Sequence, residues 1–369
     1  MAENTPASTT PELRHHQPDD SAVATVLKSV SLVVVITAGV LENACVIFSI
    51  VKDRKLHRAP YYYIINLSLA DLLRSIVCLP FVLASVVHGS TWQYGRAGCI
   101  LLAFTFTFFM FGGLFALLIL ALDRHLSVIH HRFHSRKLRG LICLVVVLTG
   151  WAIAFLLAFP PVFGLGTYKF IPMEARCTLE HRYYRDNDTL GFVLIFIMIL
   201  SIIIFLYVRI FRFLRSHRKM RPVLYQPARS DNWAFFGPGA GGGFAAANNL
   251  LNGFARAATN PLAIGQQNQP HITGRYLNLR TERNERLTRV FVIVTIIFDL
   301  TWVPYVIVCL WYALDKTRSV PYVFVTVATW LTYIQVALVP LVYITCHRPL
   351  RRAMATSTNS YILTPYPVE

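Results

Sequence analysis

The apolar residues of this chain fall into seven long blocks separated by polar stretches, instead of recurring singly at a helical or strand spacing. The blocks cover residues 24–51, 61–87, 99–122, 141–160, 190–210, 290–311 and 321–345. Each is long enough for a helix to cross the hydrocarbon core of a bilayer, which takes about 20 residues. The pattern predicts an all-α membrane protein, a seven-transmembrane helix bundle. An odd number of crossings puts the termini on opposite sides. The same pattern divides the chain into a polar tail over 1–25, a membrane domain over 26–346 with one long insertion at 211–289, and a second tail over 347–369.

Composition supports the membrane assignment: 55% hydrophobic, 14% charged and a mean hydropathy of +0.50 lie outside the habits of soluble domains. The first tail has neither a basic segment nor a small-residue cleavage site, so the first span is expected to direct insertion itself. Charge then adds orientation. The segments between spans 1–2, 3–4 and 5–6, with the final tail and flanking residues, hold 25 Lys/Arg against 6 Asp/Glu; the other side holds 9 against 9. The positive side is expected to be cytoplasmic, with the N-terminus extracellular and the C-terminus cytoplasmic. A net charge of +17 invites a nucleic-acid reading. Because the basic residues border spans, topology and contact with anionic membrane lipids account for them instead.

Five of the seven cysteines lie in spans or at the inner edge: Cys45, Cys78, Cys143, Cys309 and Cys346. Only Cys99 and Cys177 fall at extracellular positions, where a disulfide persists, so these two are expected to pair. Asn187-Asp188-Thr189 is the only outer-side sequon, a candidate glycosylation site; Asn66-Leu67-Ser68 lies within span 2, where no glycan can be added. In the third inner loop, Arg209, Arg212, Arg215 and Arg218 at intervals of three predict that span 5 continues as a basic helix. The Gly/Ala/Asn-rich stretch beyond it is expected to be a mobile linker, although Trp233, Phe235, Phe236, Phe244 and Phe254 would also suit a docking role.

Polar groups inside the spans are costly and therefore informative. Asp71 and Arg74 are three residues apart, on one helical face, and are expected to pair, either as a staple of the bundle or as a switch. Asn43, Glu42 and Asp299 are further polar groups expected to face protein. Pro80, Pro160-Pro161, Pro304 and Pro340 place kinks. Phe298 and Trp302, four residues apart beneath Pro304, form an aromatic pair beside a hinge. Asp123-Arg124-His125 closes span 3. Since 25 residues separate Cys99 from Arg124, the helix between them is about 37 Å long, one bilayer with its interfaces. An acid–base pair then stands at its inner rim.

Taken in order, Asn43; Leu67-Ser68-Leu69-Ala70-Asp71; Trp92 and Cys99; Asp123-Arg124-His125; Trp151; Cys177; Phe298 with Trp302-Val303-Pro304; and Pro340 with Tyr343 resemble the rhodopsin-like (class A) G-protein-coupled receptors. Loop matches narrow the resemblance to the orphan super-conserved receptors expressed in brain: Leu56-His57-Arg58-Ala59-Pro60, Gly89-Ser90-Thr91-Trp92, His130-His131-Arg132-Phe133, Phe159-Pro160-Pro161-Val162 and Phe236-Gly237-Pro238-Gly239-Ala240. The resemblance implies a multi-pass plasma-membrane receptor whose Arg124, restrained by Asp123 at rest, meets a heterotrimeric G protein. Tyr207 and Tyr343 would rearrange beside Arg124, and span 6 would swing outward about Pro304. The implied partners are that G protein, an unidentified ligand, and a second receptor as a homo- or heterodimer. No cofactor, metal, nucleic acid or catalytic residue is implied.

Departures from the pattern qualify these expectations. Val339, Gly113 and Ile199 replace the Asn, Ser and Pro usual at their positions, so the Arg74 guanidinium is expected to stand in for the sodium ion that Asp71 would help to hold. Phe106 replaces an Asp, which argues against a biogenic amine ligand. Asn284 replaces an acid that would lock Arg124 to span 6. The aromatic span 3 (Phe104, Phe106, Phe108, Phe109, Phe111) favours a small hydrophobic ligand, or none. A retinal pump is excluded because residues 321–345 contain no Lys, and an intramembrane enzyme because no His-Glu-x-x-His or Gly-x-Gly-Asp is present. The alternative is a receptor-shaped partner protein that heterodimerises with other receptors and has no ligand of its own.

Overall fold

The computed structural model describes residues 22–130, 140–164, 166–181, 189–224, 269–315 and 320–362. Asn187 and the aromatic Gly/Ala/Asn-rich stretch of the third inner loop lie outside these residues. Seven helices are long and apolar enough to cross a membrane: Ala22–Lys52, Ala59–Val87, Gly95–Val128, Leu141–Phe163, Leu190–Ser216, Asn284–Leu314 and Tyr322–Cys346, here spans 1 to 7. Leu41, Leu101, Leu141, Leu156, Leu300 and Val323 sit exposed on their outer faces. In water such side chains would be a liability; against lipid they are the solvated surface. Span 3 runs through the centre, packed against spans 2, 4, 5 and 6.

The helices overrun their apolar blocks where the flanks are good helix formers. Span 3 continues to Val128, so Asp123-Arg124-His125 sits one turn inside the helix and not at its foot. Spans 5 and 6 belong to longer helices, Thr189–Leu224 and Gln269–Leu314. Hydropathy marks where lipid ends; hydrogen bonding and the propensity of residues such as Arg and Leu decide where the helix ends.

Two prolines shape the interior. Span 2 opens into a π turn over Arg74–Cys78, just before Pro80. Proline has no N–H and crowds the carbonyl four residues back, and a widened turn relieves both problems. Pro340 likewise leaves the carbonyl of Val336 without its helical donor. Asn43 supplies one: its Nδ2 donates to Val336 O at 2.9 Å and to Gly39 O at 2.8 Å, joining span 1 to span 7. Close approach here depends on Gly39, where a Cβ would lie 2.6 Å from Ser75 Oγ and 2.9 Å from Val336 Cγ2. Trp151 Nε1 donates to Asn66 Oδ1 at 2.8 Å, tying span 4 to span 2.

Between spans 4 and 5 lies a two-stranded antiparallel hairpin, β1 Tyr168–Ile171 and β2 Arg176–Leu179, with Phe170 opposite Cys177. The Cys99–Cys177 disulfide fastens β2 to the start of span 3. The strands are joined by a short helical turn, Pro172–Glu174, and by Ala175 at φ 51°. This left-handed residue reverses the chain and carries Glu174 and Arg176 into the bundle. A final helix, Arg348–Ile362, follows span 7 after His347.

Candidate functional site

At the end of the bundle remote from the disulfide, Asp123 and Arg124 are both buried. Arg124 Nε donates to Asp123 Oδ2 at 3.0 Å, and Nη2 reaches the same oxygen. From span 6 the guanidinium meets only the ring of Phe291, 5.7 Å away, and among the described residues it forms no ion pair with that span. Glu285 instead lies 3.7 Å from Arg289. The hydroxyls of Tyr207 and Tyr343 are buried nearby, and among the described residues neither makes a hydrogen bond of good geometry. His347, buried where span 7 ends, accepts from the backbone N–H of Leu350 at 3.3 Å and starts the final helix. Burial pushes its imidazole down to about 4.

Midway along the bundle, Arg74 donates to Asp71 Oδ1 at 3.0 Å and to Gln335 Oε1, while Gln335 Nε2 donates to Asp71 Oδ2 at 3.2 Å. All three side chains are buried, so a closed triad of charge and amide joins span 2 to span 7. The Arg74 guanidinium also lies over the rings of Trp302 and Phe106, at 5.6 and 5.9 Å. Trp302 packs on Phe298 at 5.8 Å, and Phe196 of span 5 touches both. The expected aromatic pair and the expected ion pair therefore meet at one place.

The disulfide end contains groups that hydropathy did not single out. Arg176 enters the bundle under the hairpin with its guanidinium 4.5 Å from the Phe106 ring, 4.7 Å from Tyr305 and 5.5 Å from Tyr333. Its Nε donates to Glu174 Oε2 at 2.9 Å. Glu174 Oε1 bonds His181 Nε2 at 2.7 Å, and the Tyr305 hydroxyl donates to Oε2 at 3.0 Å. Tyr333 donates to the Glu174 backbone carbonyl at 2.9 Å. Burial alone would raise the Glu174 carboxyl; the Arg176 charge and then the His181 hydrogen bond outweigh it and hold the group at about 2. Arg176, lowered by burial, is raised above its ordinary value by Tyr305, Tyr333 and Glu174. The pocket above Trp302 is thus occupied by the chain itself. Of the five span 3 phenylalanines, Phe106 alone meets Arg176; Phe104 and Phe108 stack at 6.1 Å and turn toward Phe155 of span 4, while Phe111 meets Phe192 of span 5 at 4.8 Å. The sequence signal for this plug was the pair of charges just before Cys177, Glu174 and Arg176, which a disulfide to span 3 pulls over the bundle mouth.

Two features were legible and one was not. Asp71 with Arg74 followed from spacing and the restraint of Arg124 by Asp123 from the resemblance, whereas Gln335 reaches the first pair, and Glu174, Arg176, His181, Tyr305 and Tyr333 meet one another, only in three dimensions. Among the described residues no group of His, Cys, Asp and Glu is placed to hold a metal ion.

The profile of the family described as "7 transmembrane receptor (rhodopsin family)" matches residues 42–343. The chain is 39% identical to "Probable G-protein coupled receptor 173" of Bos taurus over 91% of its length and 90% of that receptor's. It is 39% identical to "Probable G protein-coupled receptor 85" of Danio rerio over 91% of each chain, and 36% identical to "Probable G-protein coupled receptor 27" of Homo sapiens over 89% of this chain and 88% of that one. The crystal structure of squid rhodopsin superposes with a TM-score of 0.69 at 19% identity, covering 94% of this chain and 88% of that one, a likeness of fold. The chain belongs to the rhodopsin family of seven-transmembrane receptors, multi-pass plasma-membrane proteins and not an enzyme class, and within it to the super-conserved receptors expressed in brain.

Proposed function

We propose that this chain couples to heterotrimeric G proteins through Arg124, with its N-terminus extracellular, its C-terminus cytoplasmic and residues 211–289 as an inner loop. The observation that carries this reading is the buried guanidinium of Arg124, held by its own neighbour Asp123 and by no acid of span 6. Outward movement of span 6 about Pro304 then has the Phe291 contact, and no ion pair, to release at Arg124. The buried hydroxyls of Tyr207 and Tyr343 gain partners in a second packing, which offsets part of the cost of leaving the first. In cells, recruitment of each Gα class by wild type and by Arg124→Ala, at matched surface expression, tests it. Loss of recruitment in the variant is expected. No difference in any Gα class favours the alternative, a partner protein without a diffusible ligand, which the self-filled pocket also suits.

The Arg74 guanidinium, 3.0 Å from Asp71, neutralises that carboxylate in the way a sodium ion otherwise would. Exchanging sodium for potassium at constant ionic strength is therefore expected to leave signalling and melting temperature unchanged. A sodium-specific shift that Asp71→Asn abolishes would overturn this. A biogenic amine is disfavoured twice over, since Phe106 offers it no carboxylate and the Arg176 cation already sits on that ring.

A further inference from the structure

We propose that the cavity beneath the hairpin is a guanidinium-binding site, filled in this chain by its own Arg176, and that a diffusible ligand able to take it carries an alkylguanidine group. Three of the four walls come from elements other than the hairpin that supplies the filler. Phe106, Tyr305 and Tyr333 come from spans 3, 6 and 7, and each presents its ring within 5.5 Å of the guanidinium carbon. The fourth side is the Glu174 carboxylate, held in place by Tyr305 from span 6 and, through its backbone carbonyl, by Tyr333 from span 7. Only the cation itself belongs to β2.

The chemistry of the walls selects the cation. A guanidinium is planar, delocalised and weakly hydrated, so it trades water for aromatic faces readily; an ammonium is a compact, strongly hydrated charge that asks for three acceptors. Arg176 uses the cage in this way, for its Nη1 is buried with no hydrogen-bond acceptor among the described residues while Nε is paired to Glu174. An apolar occupant of the same size would leave Glu174 without its cation, a costly outcome at a buried carboxylate. A shallow surface cleft lined by Lys28, Met173, Tyr322 and Trp330 shares Glu174 and Tyr333 with the cage, so the cage lies directly beneath the bundle surface.

The test uses purified full-length protein in detergent and rests on the receptor reading only for the word ligand. Arg176→Ala deletes the side chain beyond Cβ, and ethylguanidine contains the deleted heavy atoms. The variant is expected to melt lower than wild type. Ethylguanidine is expected to raise its melting temperature with the logarithm of its concentration, by about 2–4 °C at ten times the dissociation constant. Wild type, with the cage filled, is expected not to move, nor the variant with n-butylammonium. No shift, the same shift in wild type, or an equal shift with n-butylammonium overturns the proposal. Should Arg176→Ala yield no folded protein, Glu174→Gln with Arg176→Ala removes the uncompensated carboxylate and keeps the three rings. A smaller variant-specific shift is expected there, and its absence is equally fatal. Melting involves no G protein, so failure of coupling through Arg124 and failure of the cage are read separately.

Discussion

Arg74→Met is expected to destabilise the receptor by about 3–5 kcal/mol, because it leaves the buried Asp71 carboxylate without its cation. In melting temperature this is a fall of roughly 6–20 °C. The carboxylate is almost wholly shielded from solvent and retains only the amide of Gln335. Removing the whole triad by Asp71→Leu, Arg74→Met and Gln335→Leu together is expected to recover most of that loss, since no polar group is then stranded. The comparison also separates two roles. If the triad is only a staple, the triple variant signals like wild type. If it is a switch reaching Trp302 through the Arg74 guanidinium, 5.6 Å from that ring, the triple variant is stable but its basal and stimulated signalling change. A triple variant as unstable as Arg74→Met would refute the charge argument and point to packing instead.

The spans were readable because burial in lipid imposes a long apolar run, a signal that needs no knowledge of neighbours. Pairs within one helix were readable for the same reason: Asp71 and Arg74 lie three apart, and Asp123 and Arg124 are adjacent. Gln335 was not, since it sits 261 residues from Arg74 and meets it only through the rotation of span 7. The hairpin plug was harder still. Its contacts join Glu174 to residues 131 and 159 positions away and depend on the reversal at Ala175 and the tether at Cys177. Judging the lining of span 3 by hydropathy favoured an apolar occupant. The same rings have negative faces, and it is a cation that Phe106 holds.

Glu174→Gln is expected to cost about 3 kcal/mol at pH 7, and the loss should shrink on acidification. The carboxyl is held at about 2, well below its ordinary 4.5, so its contribution is fully present above pH 4.5 and is lost as the pH falls toward 2. The gap between wild type and variant should be about 3 kcal/mol at pH 5 and about 2 kcal/mol at pH 3.5. His347 also disfavours acid: its imidazole, held at about 4, keeps the fold stable above about 6.5 and withdraws that contribution as the pH drops through 4. That contribution is common to both proteins and cancels in the difference, as does any other group away from the hairpin. The groups facing Glu174 are Arg176, His181 and Tyr305, and the amide of the Glu174→Gln variant would still hydrogen-bond each of them without the charge. Denaturant titrations of both proteins in the same detergent between pH 7 and pH 3.5 measure the gap. A gap near zero at pH 7 would mean that the hairpin is seated by its disulfide and packing alone. One that widens in acid would mean that the carboxyl is protonated in the folded receptor, and the Arg176 plug would then lack the counter-charge on which its burial depends.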